Sequence, residues 1–362
     1  MLTWLCPPSI LQRQQPSPIL LFLPPGPLSP DAPLDQDPIL HRLQQASSAT
    51  VVAVNYRLSP EHQYPTPVHD VLTAYDWVLE HLASQPQHRT PTRPHLARIG
   101  VCGELIGGSL ATMLALTECQ MASDRIVAAA VNNPVADWIF PSDLRELHQD
   151  ADAENVSLAF DDPAISTEGG GRARVKNKLT KTPVAQLSSW DAYAHSPALP
   201  VSAMAHARNM LFPNHDAYFD RFASPVHFFR TPGLGYSVPI RTEDDWASET
   251  PSEFNIMDSI EPVIEERRRS RRIYPPTGSG LRLPVLSVSV GEESILLDQG
   301  KELVERVKRS VNRNTGSEDE GERRVGLRLR PGAGLWSGPF RAQDWHEEVG
   351  AIGAWFGRIL TA

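Results

Sequence analysis

Over about the first 140 residues, short apolar runs alternate with amphipathic stretches, and this alternation predicts the strand–helix–strand units of a parallel sheet. Ile19-Leu-Leu-Phe-Leu23 and the run from Thr50 to Tyr56 are continuously apolar for most of their length, as strands buried on both faces must be. From Val68 to Leu82 the apolar residues Val71, Leu72, Tyr75, Val78, Leu79 and Leu82 follow the 3.6-residue period of a helix. A third strand, Ala97 to Cys102, is expected to run through Gly103 into a helix over Ile106–Cys119. A fourth, Ile126 to Val131, ends at Asn132-Asn133-Pro134.

The pattern breaks down between about Asp137 and Tyr274. Gly169-Gly-Gly171 and the basic residues Arg172, Arg174, Lys176, Lys178 and Lys181 predict an exposed loop rather than an anion site. Helices are expected at Leu199–Phe212 and Ile260–Ile273, the second with the charged run Glu265–Arg272 on its outer side. Regular order returns with a strand at Leu283–Val290, a helix at Glu292–Val311 and a polar surface loop at Asn312–Arg324. A last strand, Arg324–Leu329, leads through Pro331–Gly334 to a terminal helix near Gln343–Leu360. The expected architecture is α/β, with a mostly parallel central sheet and helices on both faces. One discontinuous core, 1–136 and 275–362, brackets an inserted lid at 137–274.

Charge narrows the function. Lys+Arg total 34 against 43 Asp+Glu, a net −9, which excludes the broad basic face that counterion release on nucleic acid needs. The 33 prolines among 362 residues exclude long coiled coils and imply many stiff loops. Cys6, Cys102 and Cys119 share no C-x-x-C spacing and read as reduced thiols, with Cys102 an inert core residue. No apolar run approaches the ~20 residues that span a bilayer, and Met1–Ile10 lacks a basic secretory start, so a cytoplasmic location is the default expectation. The 12 His include His195, His206, His215 and His227 but form no H-E-x-x-H spacing, so neither a metal nor a cofactor is expected. Gly103, Gly107 and Gly108 form neither G-x-G-x-x-G nor a phosphate loop, and read as packing at a tight turn.

The stretch Asn55-Tyr56-Arg57-Leu58-Ser59-Pro60-Glu61-His62-Gln63-Tyr64-Pro65, with Asp70 following, resembles the Asp-Tyr-Arg-Leu-Ala-Pro-Glu signature of the hormone-sensitive-lipase-like α/β-hydrolases, a group that includes arylacetamide deacetylases. Gly103-Glu104-Leu105-Ile106-Gly107-Gly108-Ser109-Leu110-Ala111 is similar to that family's Gly-Asp-Ser-Ala-Gly-Gly-Asn-Leu-Ala. Gly291–Asp298 resembles its Asp-x-Leu-x-Asp segment. The first matched motif begins near residue 24, so the family's N-terminal cap is expected to be much reduced. The resemblance implies an α/β-hydrolase fold and an ester-related chemistry.

Carried over residue by residue, the resemblance puts the nucleophile at Leu105, the acid at Ser294 and the histidine near Leu335 or Trp336. Leu105 has no nucleophilic atom, Ser294 cannot hold an imidazolium by charge, and neither Leu335 nor Trp336 is a histidine. The segment matching the family's His-Gly-Gly-Gly is Pro24-Pro25-Gly26-Pro27, whose prolines have no N–H, leaving Gly26 and Ile106 as oxyanion donors. Glu104 corresponds to the family's structural Asp, as Asp298 does to its second one. Ser109 lies one helical turn beyond the elbow and is expected to pack, and His346 is expected on the surface of the terminal helix. The expectation is therefore an impaired hydrolase relative whose pocket residues Gly26, Glu104, Leu105 and Ile106 take a small apolar ligand or an ester, or which binds a protein partner. The alternative is an active carboxylesterase using another nucleophile such as Ser109.

Overall fold

The computed structural model describes residues 2–5, 17–26, 36–83, 89–90, 93–94, 97–121, 126–143, 187–237 and 263–361. Seven strands form its main sheet: β1 (Leu2–Leu5), β2 (Ile19–Leu23), β3 (Thr50–Val54), β6 (Ile99–Glu104), β7 (Ile126–Asn132), β10 (Val285–Gly291) and β11 (Val325–Arg330). Their order is β1-β3-β2-β6-β7-β10-β11, all parallel except for β1, which pairs antiparallel with β3. Two-stranded ribbons are made by β4 (Arg89–Thr90) with β5 (Arg93–Pro94) and by β8 (Leu234–Ser237) with β9 (Val263–Glu266). The fold is the expected α/β one. β1 carries no sequence signal, because four residues just before Pro7-Pro8 are too few to show a period.

Helices cover both faces. On one, Ile39, Leu40 and Leu43 of α1 (Asp37–Ser47) meet Val349, Ile352, Phe356 and Leu360 of the terminal helix over Leu20, Phe22, Cys102 and Ala130 of the sheet. Each fully buried Leu, Ile or Phe there contributes roughly 1.5–3 kcal/mol. The other face carries α2 (Thr66–Val78), α3 (Leu105–Thr117) and a long late helix. In the middle of the chain lie α4 (Ser189–Ala192), α5 (Val201–Leu211) and α6 (His215–Phe219). The last third adds α7 (Leu297–Thr315), α8 (Glu320–Arg324) and α9 (Trp345–Thr361).

The expected helix at Ile260–Ile273 is corrected: β9 occupies Val263–Glu266, and residues 267–270 have no regular structure. Two β-branched residues favour the strand, and like charges three and four apart oppose a helix through the arginines. The loop expected at Asn312–Arg324 is also corrected. α7 runs on to Thr315, stops at Gly316 in the left-handed conformation (φ 68°), and α8 follows, its Gly321 N–H donating to Asn312 Oδ1 at 2.5 Å. At its other end α7 starts at Leu297 rather than Glu292, because the amides of Glu292 and Glu293 donate to the carbonyls of Arg330 and Gly332 instead.

The chain groups into two compact units. One comprises 1–138, 188–231 and 271–362, and the other 139–187 and 232–270. Residues 188–231, within the segment expected as a lid, thus group with the sheet. The loop expected at 161–183 and Cys6 lie outside the described residues.

Candidate functional site

In open α/β sheets the chemistry sits beyond the carboxyl ends of the strands, and there β6 turns abruptly into α3. The turn falls on Leu105, which holds φ +52°, a conformation that costs a branched residue of order 1–3 kcal/mol. The surrounding glycines explain how it persists. A Cβ at Gly107 would overlap the carbonyl oxygens of Leu23 and Pro24, and one at Gly103 the carbonyl of Gly107. Only the glycines let β2, β6 and α3 approach this closely. The elbow is therefore built as it would be to present a side chain, and the side chain is a leucine, 4% exposed.

The other expected positions are brought to the same end of the sheet. Ser294 is fully buried in the turn after β10, where its Oγ accepts the Leu296 N–H at 3.2 Å. Leu335 and Trp336 follow β11 and are buried as well. Ser109 is buried on α3, its hydroxyl donating to the Ala223 carbonyl at 3.2 Å. His346 is exposed at the start of α9, edge-on to Trp345. Asp298 accepts the Ser189 N–H at 2.8 Å and so ties α7 to α4.

Gly26 holds φ +80° with the Ile106 and Leu58 side chains close to where a Cβ would stand. Pro25 offers no N–H, and Pro27 lies outside the described residues. The Pro24 carbonyl accepts the Tyr56 hydroxyl at 2.5 Å. Next to that tyrosine, Arg57 makes a two-pronged pair with Asp70, at 2.7 and 3.0 Å, which holds the Asp70 carboxyl below the usual range. The same loop meets α5, with the Tyr64 N–H on the Leu211 carbonyl and Gln63 Nε2 on that of Met210. The signature residues thus pin loops together.

Glu104 is the most heavily bonded group at the elbow. Its carboxyl accepts from the Trp336 N–H at 2.5 Å, from Asn132 Nδ2 at 2.9 Å and from the Ser337 hydroxyl. Asn132 also donates to the Gly334 carbonyl at 2.8 Å. One buried carboxylate therefore holds the loop after β11 against the elbow. Sequence reasoning misses the Ser337 and Asn132 roles, since partners 233 and 28 residues away leave no local signal. Burial pushes the Glu104 carboxyl up to about 7 against the pull of its three donors, with the Glu348 charge adding to the rise.

That rise has a sign. Between about 4.5 and 7 the folded chain holds a proton on Glu104 that the unfolded chain has released, so the stability contributed below that window is lost as pH rises through it. Glu104→Gln is expected to remove about 3 kcal/mol of this pH dependence, read from urea unfolding at pH 4.5 and 8. Parallel pH profiles for the two proteins would rule the assignment out.

Among the described residues no group of three His, Cys, Asp or Glu is placed to hold a metal, and no helix is long and apolar enough to cross a membrane. A cavity of about 290 Å³ lined by Met121, Leu281, Leu283, Val311 and Arg324 opens at the amino ends of β7, β10 and β11, the wrong end of the sheet for hydrolase chemistry.

A bent strand-to-helix turn at the carboxyl edge of a parallel sheet, flanked by helices on both faces, defines the α/β-hydrolase fold. Residues 28–168 match the family described as "alpha/beta hydrolase fold". An esterase of Mycobacterium tuberculosis is 35% identical over 107 residues, 30% of this chain and 31% of its own. The gibberellin receptor of rice is 34% identical over 104 residues, 28% of each chain. An esterase structure from Rhizomucor miehei aligns with 99% of this chain and 77% of its own at a TM-score of 0.56 and 16% identity. The chain has the α/β-hydrolase fold, and over these segments it is similar to carboxylic-ester hydrolases. Its sequence matches span under a third of the length of those curated relatives.

Proposed function

We propose that this protein is a non-catalytic member of its family that acts by binding a small apolar ligand or a protein partner rather than by turning over an ester. The observation that carries the reading is Leu105 at the elbow, in the strained backbone conformation that a nucleophile requires, with only carbon at its tip. Ser294 in the acid position and Leu335 or Trp336 in the histidine position support it, each buried among packed side chains. A neutral hydroxyl cannot orient and stabilise an imidazolium, and neither of the other two can take a proton from water. The family accommodates such a role, since one relative of comparable similarity is named a receptor.

An active esterase working through Ser109 is less well supported, because that hydroxyl is buried and spent on the Ala223 carbonyl. The expected result is that p-nitrophenyl butyrate is hydrolysed no faster than in buffer, by the protein and by its Leu105→Ser variant alike. Substantial turnover by the variant would reveal a base still in place.

A further inference from the structure

We propose that the cavity at the amino ends of β7, β10 and β11 is a binding site for a small apolar monocarboxylate, its tail among Leu281, Leu283 and Val311 and its carboxylate on Arg282 and Arg324. The site lies at the opposite end of the sheet from the elbow. It therefore stands whether or not the elbow turns over an ester.

The fold itself builds the walls. Leu283 and Val311, each 2% exposed, make an apolar floor where the segment entering β10 meets α7. The adjoining side is fixed by two backbone bonds, the Met121 N–H on the Gly280 carbonyl at 2.9 Å and the Arg282 N–H on the Cys119 carbonyl at 2.7 Å, with an isolated bridge between Gln120 and Leu281. A ligand meets a surface largely shaped in advance, which lowers the ordering cost of binding. Met121 lines the same cavity while 72% exposed, which leaves an apolar side chain in water at the rim. Its flexible thioether can fold over a bound tail.

The volume of about 290 Å³ sets the size, with room for roughly ten groups as large as a water molecule in the liquid. Charge sets the head group. Among the lining residues Arg282 and Arg324 are charged and none is acidic. Arg324 Nη2 donates to the Leu283 carbonyl, which fixes its planar fork at the wall. Glu320 is the acid within electrostatic reach, and it is paired with Arg323; its carboxyl is held below the usual range by Arg323 first, then by Arg324 and Arg282. Asn314 and Thr315 bring the end of α7 to the cavity, and the carboxyl end of a helix carries about half a negative charge, less than either guanidinium offsets. The balance favours an anion, and a guanidinium fork pairs with a carboxylate through two parallel N–H···O bonds.

The test is a titration of full-length protein labelled with [methyl-13C]methionine, its Met121 signal assigned by its loss in Met121→Leu. Octanoate and 1-octanol, which share a tail and differ in charge, are the probes. With octanoate the Met121 signal is expected to shift and saturate with a Kd on the order of 0.1–1 mM, the range open to a ligand of about ten atoms. Octanol is expected to bind at least about tenfold more weakly. Arg282→Gln keeps the backbone N–H that bonds Cys119, so its unfolding temperature is expected to hold while octanoate binding falls about tenfold, the effect of losing one charge-assisted hydrogen bond. A Met121 signal that octanoate leaves unmoved, an equal response to octanol, or undiminished binding by Arg282→Gln overturns the proposal. Hydrolysis of p-nitrophenyl butyrate by the same samples reads the elbow separately.

Discussion

Truncating Asp137 to alanine is expected to destabilise the fold by about 3–5 kcal/mol, the usual result of removing one partner from a buried ion pair. Asp137 Oδ2 accepts from Arg230 Nη2 at 2.5 Å, and its Oδ1 stands 3.3 Å from His227 Nε2. Arg230 and His227 are 2% and 0% exposed, and His227 Nδ1 already faces the Phe219 carbonyl at 3.0 Å. Without the carboxylate, Arg230 would rely on Glu302, at 2.8 Å, to balance its charge. The pairs join the loop after β7, the turn at Pro225–Phe228 and α7, so their loss would loosen residues 188–231 from the sheet. The double replacement Asp137→Leu/Arg230→Met is expected to recover most of the loss, since an apolar pair leaves less charge stranded. A stability for Asp137→Ala, from urea unfolding, within about 1 kcal/mol of the parent would show that the cluster is not structural.

The second large effect is expected at Gly107→Ala, about 3 kcal/mol or more. The added Cβ meets the carbonyl oxygens of Leu23 and Pro24, which are backbone atoms at the end of the neighbouring strand and cannot swing aside. Gly108→Ala is the control. There a Cβ would stand 3.2 Å from both the Asn132 carbonyl oxygen and Pro134 Cα, so the neighbours need to give by much less. Roughly 1 kcal/mol is expected for that variant. Equal losses in thermal or urea unfolding would mean that the elbow tolerates rearrangement and that close strand–helix approach does not hold its shape.

Much of this is legible in the residues. Continuous apolar runs mark β2, β3 and β7 because strands buried on two faces have no polar side to show. The elbow is legible because its glycines answer a steric demand that survives whatever chemistry sits between them. The elements that escape sequence reasoning do so for local reasons. β1 is too short to carry a period, β9 competes with a helix only through tertiary pairing, and α8 depends on a cap from Asn312, eight residues before it begins. The network around Glu104 is invisible because its donors come from β7 and from the loop after β11, far along the chain.

The central claim is that the elbow keeps its strained geometry with no nucleophile in the cleft. Treating the purified protein with a fluorophosphonate and measuring its intact mass tests this most directly. No mass increase is predicted for native protein. A single stoichiometric adduct that maps to a serine or threonine and disappears on heat unfolding before treatment would contradict it.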